Sequence, residues 1–464
     1  MSINTLLAGP VLRRMQSERI TLWLATSKPV QWRLALFPDK HDSQVHEIRG
    51  HCRELKVAEH FYVHLIDLPL SMPLPTDSWV GYELSYKNDT DGEWINLTQE
   101  SPHLLYPGKS TLGFVIHSRV QSVLHGSCRK PHYARQEGTS AGDGLVRADQ
   151  HLLELADTPT EWPALLMMGG DQIYTDDVAG PMLVAIHRLL DELNSPAEPL
   201  PGTQLHSSHT LHREQPHYYT RDQLLPKTRA NKDIRTVLFT GVKKPVFTTD
   251  SARNHLISLS EVMAMYLLVW SPVPWQLVDL GIPSGLSDEH QARYRQELPL
   301  IQGFADNLGQ VARVMAHLPC LMIFDDHDIT DDWNLSAEWE ETAYGEPFSR
   351  RIIGNALTAY LICQGWGNAP ENFSDALMQR CKNALETPGQ QVHEDLITEL
   401  IAFRGWQYQW NTKPVLMVID TRTNRWRSER NAAHPSGLMD WRSCQQNAFC
   451  KCHRINGQNI LRCI

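Results

Sequence analysis

The segment Leu321–Asn334 sets four apolar residues, Leu321 to Phe324, directly ahead of five carboxylates and a histidine, all between Asp325 and Asn334. The acids are Asp325, Asp326, Asp328, Asp331 and Asp332, with His327 among them. Few folds tolerate so much like charge at a strand end unless a cation neutralises it. An apolar run of this length predicts a buried strand, so the acids leave together at its carboxyl end, where open α/β sheets bind ligands. The plainer reading, a solvated acidic loop capping the next helix, has equal weight for an isolated Asp-Asp pair. A second copy of the arrangement tips the balance.

That copy runs from Leu165 through Met168 and Gly169-Gly170 into Asp171 and Tyr174. Two glycines let the backbone turn sharply and approach a ligand without a Cβ clash. Asp171 and Tyr174 offer oxygen donors that hard cations and iron accept, though a turn cap and a half-buried ring explain them as simply. A third segment, Gly126–Pro131, follows the β-prone run Ser122–Leu124 and carries Cys128 beside Arg129 and Lys130. Two adjacent cations are expected to lower the thiol pKa, which suits a metal ligand or nucleophile; the plain alternative is a free core cysteine.

In this order, Gly-Ser-Cys-Arg, Gly-Asp-Gln-Ile-Tyr and Asp-Asp-His-Asp, the chain resembles the alkaline phosphatase D (PhoD-like) branch of the metallophosphoesterases. The resemblance implies an α/β fold, a calcineurin-like α/β/β/α sandwich, with a dinuclear metal centre that hydrolyses phosphate esters. It implies ferric iron held by Cys128 and Tyr174, with calcium as the second metal and manganese or zinc as substitutes. Asp171 resembles the carboxylate bridging both metals, Asp326 the family's metal-binding Asn, and His327 its catalytic histidine. Asp325 and Asp332 are carried over as further metal ligands; Arg129, by its planar fork, is expected either to contact a phosphate oxygen or equally to pair with a nearby acid.

The chain also departs from the family. Relatives close their catalytic domain with a Gly-Asp-x-His block; here the histidines after Asp328 are His393, His434 and His453, none preceded by Gly-Asp. Family-like sequence persists through Val415–Thr423 and Pro435–Trp441, and then Cys444, Cys450, Cys452 and Cys463 crowd the tail. The expectation is a sandwich incomplete at its carboxyl end, followed by an ill-ordered Cys-rich tail over residues 442–464. Zinc on Cys444, Cys450, Cys452 and His453 would lack the paired Cys-x-x-Cys of common structural sites.

A hydrophobic fraction of 42% over 464 residues suffices for a sizeable core and more than one domain. The net charge of −10 gives no electrostatic footprint for nucleic acid. No apolar stretch is long enough for a transmembrane helix. Arg13 and Arg14 follow the first apolar run rather than precede it, the reverse of a secretory signal, so a cytoplasmic location is expected.

Residues 1–110 predict a small all-β domain of immunoglobulin or fibronectin type, from short aromatic and β-branched runs at Ile20–Ala25, Gln31–Leu36, His60–Ile66 and Trp79–Ser85. PhoD-like proteins are similar in placing one before the catalytic domain, which is assigned here to residues 111–441. Helices are expected from Pro181, over Ser258–Trp270 and over Asp288–His317. Residues 196–235, rich in proline and carrying His206, His209, His212 and His217, read as a solvated surface loop insertion.

The expected function is phosphoester hydrolysis by a metal-activated hydroxide, with His327 kept cationic by the surrounding acids and a phosphate ester as substrate. Two rivals are a catalytically weak remnant and a binding module that only holds calcium.

Overall fold

The computed structural model describes residues 3–39, 41–88, 92–133, 142–203, 205–228 and 245–425. The Cys-rich tail and the Pro435–Trp441 segment lie outside the described residues.

Nine strands lead the chain: β1 (Leu6–Gln16), β2 (Arg19–Thr26), β3 (Gln31–Pro38), β4 (Gln44–Glu47), β5 (Cys52–Ala58), β6 (Phe61–Pro69), β7 (Trp79–Lys87), β8 (Ile95–Asn96) and β9 (Leu112–Val115). They pair antiparallel into one sheet of order β1-β2-β6-β5 and another of order β4-β3-β7-β8, with β9 also on β7. Strand β3 alternates as a half-buried strand should, turning Trp32, Leu34 and Leu36 inward. Those side chains share a core with Leu12, Ile20, Leu22 and Leu24 of the first sheet, so the two sheets face each other. The opposite face of the first sheet, with Val11, Trp23, Val63 and Leu65, belongs to the main core of the molecule. That double burial explains why β1 is almost continuously buried rather than alternating.

Buried Arg13 on β1 spans the junction. It donates to the Met322 Sδ (3.0 Å), the Gln364 carbonyl (2.7 Å) and the Asn368 Oδ1 (2.6 Å). Truncating a buried guanidinium with three such partners leaves them unpaired, which makes Arg13 a tie between the sheets.

Three parallel strands lead into the segments expected to hold the site: β10 (Leu124–Gly126), β11 (Leu166–Met168) and β12 (Cys320–Met322), in that order. Their registers align Leu124 with Leu166 and Cys320, and Gly126 with Met168 and Met322, so their carboxyl ends leave side by side. The remaining edge of β12 is closed by the Asn368 side chain, which accepts from Met322 N–H (3.0 Å) and donates to its carbonyl (2.8 Å). A short ribbon of β13 (Tyr408–Trp410) and β14 (Leu416–Val418) follows.

Helix Gly180–Glu192 starts with Pro181, as expected, and helix Leu259–Trp270 is capped by a reciprocal box between Ser258 and Glu261. The latter helix is buried on every side, so its Met, Tyr and Trp residues are core. The helix expected over Asp288–His317 is two, Asp288–Ala305 and Leu308–Met315, divided at Asp306-Asn307. No described helix is long and apolar enough to cross a membrane.

The described part of 196–235 is not solvated throughout: Glu198, Ser208, His212 and Arg221 are buried, while His206, Arg213, Glu214 and Gln215 are exposed. The reason is polar pairing. Arg221 donates to both oxygens of Glu261 (2.7 and 3.1 Å), and His212 meets Ser258 Oγ at 3.0 Å, so charged side chains go inside together.

Candidate metal centre

The turns after β10, β11 and β12 are hydrogen-bonded to one another before any side chain is considered. Cys128 N–H donates to the Gly170 carbonyl (3.2 Å), and Arg129 N–H to the Asp171 carbonyl (2.9 Å). Gly170 has φ +128°, and a Cβ there would sit 2.4 Å from the Asp325 Cβ, so glycine allows the second and third turns to touch. Four non-glycine residues in these turns, Cys128, Asp171, Asp332 and Asn334, have φ between +51° and +59°. Clustered backbone strain of this kind is held in place only where the surroundings over-determine it, and functional sites are where it collects.

Asp328 is the organiser. Fully buried, its carboxylate accepts from Asp171 N–H (2.7 Å), Asp325 N–H (3.0 Å), Gln172 N–H (3.1 Å) and Gln364 Nε2 (3.0 Å). Burial and nearby Asp171 push its carboxyl up, while the N–H donors hold it down. With its oxygens so occupied, it shapes the site from behind.

Asp171 stands at the centre. Cys128 Sγ lies 3.2 Å from its Oδ2, and its Oδ1 accepts from His327 N–H at 3.2 Å. Burial first, then Asp325 and Asp326, raise its carboxyl to about 6 against the opposing pull of His327. Burial, then nearby Asp171 and Cys128, push the Tyr174 phenol up. The ring of Tyr174 stacks on His327, centroids 4.6 Å apart. Desolvation works against charge on His327, yet Nδ1 contacts with both Asp176 oxygens (2.9 and 3.0 Å) and the charges of Asp171 and Asp326 raise it to about 9.

Two oxygen-rich groups fit a cation. The ligand atoms of Asp171, Asp326 and His327 lie within 4.8 Å of one another, as do those of Asp326, Asp331 and Asp332. Asp326 is common to both. Such a donor set suits hard divalent or ferric cations, with the Cys128 and Tyr174 side chains adding donors that iron accepts. A third cluster, His187, His212 and Glu261, is already neutralised by Arg221.

Two expectations need correction. Arg129 does not face the acids: its guanidinium grips Asp143 (2.8 to 3.1 Å), donates to the Val269 carbonyl and lies over the Phe304 ring. Lys130 is likewise drawn onto buried Asp177. With both cations engaged elsewhere, the Cys128 thiol is not lowered; desolvation and the neighbouring Asp171 raise it. Asp325, carried over as a further ligand, pairs with Arg422, whose Nη2 also reaches Asp326 Oδ1 at 2.9 Å. Sequence reasoning missed Arg422 and Asp176. The only local signal was the turn at Asp420, which accepts from Arg422 N–H at 2.9 Å and so aims the chain back at the site.

No family model matches the chain, and no curated protein matches it in sequence. Among solved structures it is similar to one described as "Structure of PhoD", at 11% sequence identity and a TM-score of 0.37. The match covers 93% of this chain and 55% of that one, so the chain spans about half that protein's length. A likeness this loose carries no argument, and the chemistry rests on the residues themselves.

Proposed function

We propose that the protein is a metal-dependent phosphoester hydrolase of the alkaline phosphatase D type, built on a metallophosphoesterase α/β sandwich. The observation that supports this reading is the sharing of Asp326 between two acidic groups at adjoining parallel strand ends. Asp326 with Asp171, Cys128 and Tyr174 would hold one cation, ferric iron by donor type; Asp326 with Asp331 and Asp332 would hold a second, calcium or manganese. Cations so placed supply Lewis acidity toward the phosphoryl oxygens and toward water.

His327 has a separate part. Its Nδ1 is held by Asp176 at 2.9 Å, a carboxylate that favours the protonated ring, and a ring so held would act as a proton donor rather than a ligand. Its Nε2 would give a proton to the departing alkoxide, while stacking on Tyr174 fixes the ring plane. Asp176 orients that ring and keeps it charged. Lys130, 5.6 Å from the centroid of the Tyr174 ring and paired to Asp177, adds positive potential behind it.

The test is hydrolysis of an aryl phosphate and a bis-aryl phosphodiester by the full chain with iron, calcium or manganese added. Turnover that vanishes in Asp171→Asn and Asp326→Asn supports the reading. Stoichiometric metal uptake without turnover on either substrate, at any of the three metals, counts against hydrolysis and for a cation-holding module.

A further inference from the structure

Arg422 reaches two of the candidate acids at once. Its Nη2 pairs with both Asp325 and Asp326, its Nε also donates to Asp325, and its Nη1 reaches the Trp333 carbonyl at 3.3 Å. The Arg422 side chain is 13% exposed and that of Asp325 38%, so the pair sits half-buried at the mouth of the acidic groups. Its backbone is anchored too: Arg422 and Thr423 N–H groups both donate to Asp420 Oδ1 at 2.9 Å. Yet Asp326 is the carboxylate common to both acidic groups. One oxygen of Asp326 is thus given to a guanidinium, while Oδ2 accepts from Asp332 N–H at 3.0 Å.

A guanidinium and a metal compete for the same lone pairs, and a metal of higher charge wins once it is abundant. We infer that Arg422 is an exchangeable latch: its guanidinium neutralises Asp326 in the metal-free protein, and on metal binding keeps Asp325 but turns Nη2 to a phosphate oxygen of the substrate. The inference rests on the proposed hydrolase reading and names a substrate-binding residue within it. Three features carry it. Arg422 is tethered independently of Asp326, through Asp420 and Asp325, so losing one contact does not release the side chain. Its planar fork matches a phosphate, which accepts two parallel N–H bonds as a carboxylate does. And Arg129, the arginine nearest the thiol in sequence, is committed to Asp143, which leaves the anion-binding place at the acids to Arg422.

The experiment titrates the full chain with Mn²⁺, and then with inorganic phosphate at saturating Mn²⁺, by isothermal calorimetry. It compares wild type, Arg422→Gln and Arg422→Lys, each first shown to melt cooperatively. Removing the competitor should tighten Mn²⁺ binding by roughly tenfold in Arg422→Gln while weakening phosphate by roughly tenfold, since an arginine-phosphate contact is charge-assisted. Arg422→Lys keeps the charge but not the fork, so Mn²⁺ affinity should stay near wild type and phosphate affinity fall in between. Mn²⁺ binding that is unchanged or weaker in Arg422→Gln overturns the latch, as does phosphate affinity that ignores both substitutions. If neither wild type nor Arg422→Gln binds Mn²⁺, the metal-centre reading itself fails, which is a different result from equal binding by both.

Discussion

The N–H of Asp171 donates to Oδ2 of Asp328 at 2.7 Å, so an acid at the end of the third parallel strand holds the turn at the end of the second. The same carboxylate collects Asp325, Gln172 and Gln364. Asp328→Ala leaves four buried N–H donors without an acceptor, at roughly 1–3 kcal/mol each before relaxation. We expect a net loss of about 3–5 kcal/mol once relaxation is allowed for. Asp328→Asn should lose less stability but set an NH2 group against two of those donors, and weaken metal uptake by roughly 10–100-fold as misplaced supporting groups do. Denaturant unfolding and a Mn²⁺ titration measure both; a wild-type midpoint in Asp328→Asn would mean the charge is not needed.

Gly170 tests the contact between turns. Its φ of +128° is strained for any L side chain, and an added Cβ would lie 3.0 Å from the Asp325 nitrogen as well as 2.4 Å from its Cβ. Backbone cannot swing aside as a flexible side chain can. Gly170→Ala should therefore cost about 2–4 kcal/mol and part Asp171 from Asp325. Thermal melting together with metal uptake is the check, and an unchanged protein by both measures would refute the contact.

What was legible in the sequence, and what was not, follows from the range of each interaction. The parallel strands before Asp171 and Asp325 are legible because an apolar run directly before an acid has few other ways to be buried. Helix Leu259–Trp270 is legible as a long and almost wholly apolar run. Strand β1 is not legible: Arg13 and Arg14 look like the charged end of an apolar run, and only packing shows Arg13 satisfied by residues more than 300 positions away. Arg422 is hidden for the same reason, lying 97 residues from the acid it pairs with. Buried His212 and Arg221 are hidden by their prolines and polar neighbours, since a mutually neutralised network has the composition of a loop. The Arg129 expectation failed because adjacency to Cys128 in sequence says nothing of which way the guanidinium turns.

Iron is tested by colour. A phenolate bound to ferric iron absorbs visible light through charge transfer from the ring, so protein loaded with iron should be coloured if Tyr174 is a ligand. Tyr174→Phe should shift or abolish the band, and Cys128→Ser should alter it. Colourless protein holding stoichiometric calcium or zinc and no iron would remove the ferric assignment while leaving the acidic groups as a site for other cations.

Stability should fall in mild acid because two buried histidines resist protonation in the fold. His317 is fully buried among Trp79, Tyr106 and Trp162, with Nδ1 on the Arg313 carbonyl at 2.9 Å, and burial lowers it from 6.5 to about 4. His255, between Thr330 and the Leu256 carbonyl, is lowered by burial to about 4 as well. Each stays neutral in the fold but takes a proton at pH 6.5 when unfolded, so the unfolded chain binds more protons between about pH 6.5 and 4 and stability drops as pH falls through that window. By pH 5 each contributes a loss of about 2 kcal/mol, at 1.36 kcal/mol per pH unit. His317→Phe keeps an aromatic ring in the cage and removes the titration, so its stability at pH 7 should be lower through the lost hydrogen bond, while its decline toward pH 5 should be shallower by about one proton. Urea unfolding at pH 7, 6 and 5 measures the slope; identical slopes for wild type and His317→Phe would show that this histidine is not held neutral by the fold.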